Sequence, residues 1–143
     1  MQDTSGVHVW LVLMKTFHAL AAVAEKSVNV SVTGLGDSDF RVLEVLLHKG
    51  PLPVNTIGPK VWLTPGSISV AIDRLEQKRL VKRKNTDDRR VHRVELTAKG
   101  RTLITQTFRK HTAAMEEVAA VLSKEERLIL LRLLKKLGKG GGR

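Results

Sequence analysis

The stretch Leu63-Thr64-Pro65-Gly66-Ser67-Ile68-Ser69-Val70-Ala71-Ile72-Asp73-Arg74-Leu75-Glu76 decides how this chain folds. Thr64 offers a hydroxyl N-cap, and Pro65 stands at the first helical position, where a missing backbone donor costs nothing. Ile68, Ala71, Ile72 and Leu75 recur at three- and four-residue spacing and make one face apolar. Gly66, Ser67, Ser69, Val70, Asp73, Arg74 and Gln77 fall on the other face. The pattern predicts a helix running to about Arg79. Period two then takes over. Leu80 to Lys84 and Val91 to Thr97 read as two strands joined by the polar tip Asn85-Thr86-Asp87-Asp88-Arg89-Arg90, a charged β-hairpin.

Upstream, Asp37 or Ser38 caps a helix whose Phe40, Leu43, Leu46 and Leu47 share a face, and Gly50-Pro51 stops it. A short helix is expected from about Val54 to Val61, shortened or kinked by Pro59. Three helices followed by a basic hairpin make the winged form of helix-turn-helix. Residues 7–26 predict another helix, apolar nearly all round through Val7, Trp10, Leu11, Met14, Phe17 and Ala21 among others, and therefore buried on several sides. Residues 27–36 read as a loop broken by Gly34 and Gly36. Thr97 caps a helix to about Leu122. Ser123-Lys124-Glu125-Glu126 is a capping box opening a last helix through Leu137, and 138–143 read as a frayed tail.

The expected fold is mainly α with a small β wing. One domain spans 1–143, with a winged helix-turn-helix core over 37–100 between terminal helices at 7–36 and 101–137. Those terminal helices are too apolar to stand alone, and the economical solution is a homodimer.

Charge points to the partner. The 143 residues carry 25 Lys and Arg against 14 Asp and Glu, a net charge of +11. The first 60 residues contribute none of it, whereas 74–93 alone hold nine basic residues and a net +6. A basic patch this dense on a small domain calls for nucleic acid or an anionic surface. The apolar run Val9–Met14 falls far short of the roughly 20 residues of a membrane span, and no secretory signal pattern is present, so the chain reads as cytoplasmic with no membrane partner. Without cysteine, thiolate catalysis, Cys-based zinc sites and thiol redox sensing are excluded. His8, His18, His48, His92 and His111 have no metal-ligand spacing, so no metal or cofactor is expected. No nucleophile elbow, P-loop or paired-carboxylate motif supports an enzyme.

The ordered stretches Asp39-Phe40-Arg41-Val42-Leu43-Glu44, Leu63 to Ser69, Asp73-Arg74-Leu75-Glu76, Asp88-Arg89-Arg90-Val91 and Leu96-Thr97-Ala98-Lys99-Gly100 resemble the MarR family of bacterial winged-helix regulators. The resemblance covers about residues 7–137 and is most specific over 63–100. It implies a homodimer on a pseudo-palindromic operator of double-stranded DNA, commonly a repressor, released by a small aromatic or phenolic effector bound between the dimer helices and the winged helix. Three positions depart from the family pattern. Val70 stands where Arg or Lys is frequent, Arg79 where glycine usually turns the chain, and Pro59 where a regular helix is expected.

Candidate DNA contacts follow. Arg90 at the wing tip can enter a narrow minor groove, with Asp88 two positions earlier fixing its guanidinium; the plainer alternative is a surface ion pair. Ser67 and Ser69 sit in the first turns of the recognition helix, where base edges are met. Arg74 is assigned to phosphate, against pairing with Asp73 or Glu76. Lys82, Arg83, Lys84, Arg89 and Arg93 are further phosphate candidates. For the effector, Met14, His18 and Trp62 are the candidates, with core packing the competing role for Trp62 and Trp10. The alternative to a specific regulator is a basic architectural or nonspecific nucleic-acid binder without an effector, whose affinity would follow salt alone.

Overall fold

The computed structural model describes residues 1–85 and 92–141. The first helix, α1 (Gly6–Val28), is capped by Ser5, whose hydroxyl accepts from the His8 N–H at 3.2 Å. It ends at Asn29, held at φ 51°. The segment expected to be a loop contains one further turn, α2 (Val30–Thr33), closed by Gly34 at φ 72°. Next comes α3 (Asp37–Lys49), with Asp37 and Asp39 in its first turn, where the helix dipole favours negative charge. After it lie β1 (Leu52–Pro53), α4 (Val54–Lys60) and α5 (Pro65–Gln77). The wing strands are β2 (Val81–Asn85) and β3 (His92–Leu96), and the chain closes with α6 (Ala98–Ala119) and α7 (Lys124–Gly141).

The sheet has three strands rather than the expected two, all antiparallel and ordered β1-β3-β2. β1 is only two residues long, with Leu52 opposite Val94 and Pro53 opposite Arg93. No alternation signal survives at that length, and proline is tolerated there because the strand lies at an edge. Pro59 sits near the end of the seven-residue α4, so it does not have to kink a long helix. At Arg79 the chain does take the left-handed conformation, φ 59°, that glycine usually supplies. The turn is closed by Arg79 N–H to Glu76 O (2.9 Å) and Leu80 N–H to Leu75 O (3.0 Å). α7 continues through Gly138 to Gly141, beyond the frayed end expected from its glycines.

The core lies inside the winged helix. Val42, Leu43 and Leu46 of α3, Ile57 of α4, Ile68, Ile72 and Leu75 of α5, Val81 and Val94 of the wing, and Ile104 of α6 are all buried. The terminal helices differ. α1 packs on α6, but within one chain only its Val28 is buried, and Trp10, Phe17, Leu128 and Leu131 are more than half exposed. The expectation that α1 is buried on several sides therefore fails for the isolated chain. By length and composition Gly6–Thr33 could also cross a bilayer, which the shorter run Val9–Met14 did not suggest.

The α6 start locks the wing to the helices. The Thr97 hydroxyl accepts from Gly100 N–H (3.0 Å) and donates to Arg79 O (2.7 Å), while Thr97 N–H donates to Leu80 O (3.1 Å). Gly100 lies against Leu80, and a Cβ there would collide with the Leu80 carbonyl. We therefore expect Gly100→Ala to lower stability by about 2 kcal/mol or more. Gly66→Ala, at an open helical position, should leave the urea midpoint unchanged or slightly raised.

Candidate nucleic-acid interface and ligand cavity

The recognition helix α5 starts as its sequence prescribes. Thr64 Oγ1 accepts from Ser67 N–H at 3.1 Å, with Pro65 in the first turn. Ser67, Ser69 and Val70 are exposed at this N-terminal end. Ahead of them the α4–α5 turn passes through Trp62 at φ 57°. Trp62 is 82% exposed, so neither core packing nor a place in an enclosed effector slot describes it.

The basic residues separate into two groups. Arg74 turns inward, away from both Asp73 and Glu76. Its Nε lies 3.1 Å from both carboxylate oxygens of Asp39, and its terminal nitrogen adds a further bond to the same group. Asp39 is buried, and its bonds hold the Arg74 guanidinium above its ordinary pKa. Lys78 Nζ approaches the same carboxylate at 3.9 Å and donates to Gly34 O at 2.9 Å. Arg83 is bracketed by Asp73 (2.7 Å) and Glu76 (2.9 Å), the Asp73 bond contributing most to its raised pKa. Lys82 lies 3.3 Å from Glu95. Three of the expected phosphate cations thus already face carboxylates of their own chain.

Lys84 and Arg93 form the other group. They are exposed and stand directly opposite each other on β2 and β3. Like charges in that register repel, and a phosphate between them would remove the repulsion. Asp88, Arg89 and Arg90 lie outside the described residues.

A cavity of about 210 Å³ opens where α1, α2, α3 and α6 meet, with Glu25, Val28, Asp37, Phe40, Arg41 and His111 in its wall. The Phe40 and His111 rings are 5.1 Å apart, and His111 Nδ1 is 3.0 Å from Ser27 Oγ. Arg41 donates from one terminal nitrogen to Val61 O (2.7 Å), and the other lies 3.0 Å from an Asp37 carboxylate oxygen. Its Nε is buried without an acceptor. Met14 and His18, on the exposed flank of α1, are not in this wall, and neither is Trp62. The sequence signal for the observed wall was slight: Asp37 and Arg41 have i,i+4 spacing, but nothing local places them beside His111.

Helix-turn-helix, wing and exposed recognition-helix N-terminus define a DNA-binding protein. The model of the MarR family matches residues 35–92. The HTH-type transcriptional regulator MhqR of Bacillus subtilis is 37% identical over 134 residues, which are 93% of this chain and 91% of the relative. A MarR family regulator from Silicibacter pomeroyi superimposes with a TM-score of 0.76 at 26% identity, over 90% of this chain and 86% of that one. BpsR of Bordetella bronchiseptica, whose DNA binding is regulated by 6-hydroxynicotinic acid, has the same fold. Its TM-score is 0.80 at 22% identity, over 92% of this chain and 98% of that one. The chain belongs to the MarR family, whose members are DNA-binding transcriptional regulators and not enzymes.

The partition of cations makes a salt-dependence prediction. Lys84→Gln should make log K fall less steeply with the logarithm of salt concentration, by about 0.9 for each phosphate that Lys84 neutralises. Arg74→Gln should leave the slope unchanged, because its charge is already engaged by Asp39. Fluorescence-anisotropy titrations on one duplex at several salt concentrations measure both.

Proposed function

We propose that this regulator is a cytoplasmic homodimeric repressor that binds a pseudo-palindromic operator and leaves it when a small aromatic ligand occupies the α1–α3–α6 cavity. The observation that carries the dimer is the groove between α1 and α7. Val9, Val12, Leu13 and Phe17 line one wall, and Leu130, Leu133, Leu134 and Leu137 include the other. A monomer in water would leave this apolar surface wet, and a second copy buries it by symmetry. The same pairing accounts for the apolar length of α1 without a membrane. Two copies place two recognition helices at one spacing, which is what a palindromic site matches.

On DNA, Ser67 and Ser69 read from the first turns of α5, while Lys84 and Arg93, with Arg89, hold phosphates beside the wing. Val70 rules out a bidentate arginine–guanine contact at its position. Arg90, oriented by Asp88, enters the minor groove. Support for an effector comes from the cavity itself, since a cavity of roughly 150 Å³ already admits benzene, and from the ligand that regulates BpsR. The effector must bind the DNA-incompetent dimer more tightly than the competent one, because equal affinities shift nothing.

The test is selection of operator fragments from genomic DNA, footprinting at fixed salt, and sedimentation. We expect a dimer at micromolar concentration and a protected pseudo-palindrome. A monomer, or protection that ignores sequence, would favour the nonspecific binder. Arg90→Ala should weaken operator binding at least tenfold at matched salt with an unchanged thermal midpoint; binding within twofold of wild type would remove Arg90 from the interface.

A further inference from the structure

We infer that Val70 is a specificity-determining residue of α5 and that it recognises the C5-methyl group of thymine in the major groove. The inference rests on the reading of α5 as the recognition helix. Residues 65–73, the part of α5 that meets base edges first, hold no Lys, Arg, Asn or Gln. The bidentate contacts that pick out guanine or adenine are therefore closed to it. Its exposed residues here include the short Gly66, Ser67 and Ser69, with Val70 one turn on from Gly66. Val70 is 60% exposed, the bulkiest of these four and the one with an apolar side chain.

The fold of one chain gives no reason for a valine at this position. The core-facing side of α5 is already complete, with Ile68, Ala71, Ile72 and Leu75 buried. Val70 lies outside that stripe. Valine is a weaker helix former than alanine or the straight-chain residues, because its branched Cβ loses freedom against the preceding turn. Its methyl groups also stand in water. A residue that breaks the local preference of its helix without a gain in packing belongs to what the helix contacts.

The neighbours of Val70 leave discrimination to an apolar contact. Asp73, one turn further on, is the acid that could accept from cytosine N4, but Arg83 holds it at 2.7 Å and ties it to β2. Arg74 is drawn to Asp39 on the other side of the helix. Ser67 and Ser69 carry hydroxyls, which both donate and accept and so suit any base. Among the four bases only thymine shows a methyl group in the major groove. 5-Methylcytosine carries a methyl on the same ring carbon, so the contact extends to a methylated cytosine at that position.

The experiment uses the full chain and the selected operator, with affinities measured by fluorescence anisotropy at one salt concentration. Each thymine of the half-site is replaced in turn by deoxyuridine, which removes the methyl group and keeps every hydrogen-bonding group. We expect one such replacement to weaken binding about fourfold for each half-site substituted, the worth of one methyl group returned to water. With a C·G pair at that position, 5-methylation of the cytosine should strengthen binding by a similar factor. Val70→Ala, whose thermal midpoint should be unchanged or raised, should bind the thymine and deoxyuridine operators within twofold of each other and ignore the cytosine methyl. Val70→Thr, which keeps one methyl group, should keep part of both differences. If no deoxyuridine replacement weakens binding by twofold, no thymine methyl is read, and the inference falls while a selected operator still supports α5 as the recognition helix. If Val70→Ala discriminates thymine from deoxyuridine as the wild type does, another residue reads the methyl and the assignment to Val70 is wrong. Protection that ignores sequence removes the recognition-helix reading itself, and this inference with it.

Discussion

A buried carboxylate holds the recognition helix in place. Asp39, in the first turn of α3, takes the guanidinium of Arg74 on α5 and the ammonium of Lys78, which caps the end of that helix. Breaking a fully buried pair by removing one partner costs about 3–5 kcal/mol, but Arg74 is 42% exposed, and solvent screening reduces the cost of leaving it alone. The consequence is geometric as well as energetic. With both cations drawn to α3, the outer face of α5 keeps its serines and Val70, and the orientation of that face depends on where α3 sits.

The same first turn of α3 faces the cavity. Asp37, Phe40 and Arg41 line it while Asp39 holds α5, so cavity and recognition helix share one turn of backbone. The Val61 carbonyl, also held from this turn, lies at the other end of the helix-turn-helix unit. Packed cores transmit such displacements because they have little free volume to absorb them. α3 therefore packs as one body with the rest of the winged helix, the wing being fastened through Thr97, Arg79 and Leu80.

Charge and apolar surface divide the labour. The count of 25 Lys and Arg overstates the cations open to DNA, since Arg74, Lys78, Lys82 and Arg83 face Asp39, Glu95, Asp73 and Glu76. These pairs shape the winged helix, and Lys84 and Arg93 stand opposite each other on the wing. Val28 apart, the apolar residues of α1 and α7 are not buried within one chain, which leaves them to the association proposed above.

The local signals were strong enough to read the architecture directly. Thr64-Pro65, Thr97 and Ser123 are helix starts whose capping bonds form between neighbours in sequence, and each bond is present. The periodicity of Ile68, Ala71, Ile72 and Leu75 named the buried face of α5 correctly, because side-chain direction along a helix is fixed by its pitch. Arg79, held at φ 59°, stands out as a turn only against the family pattern, which has glycine there. What sequence could not decide were choices made by the packing of one element on another. Arg74 had acidic neighbours at Asp73 and Glu76 and bonds instead to Asp39, because α5 packs on α3 and presents Arg74 to a carboxylate already buried there. Arg83 takes both of those neighbours through the return of β2 along α5. Trp62 looked apolar enough for the core but sits on a tight turn with nowhere inward to point. The cavity gathers residues from four helices, so Met14 and His18, although well spaced on α1, could not be separated from Glu25 and Val28 until the packing of α1 on α3 and α6 fixed which side faces the winged helix.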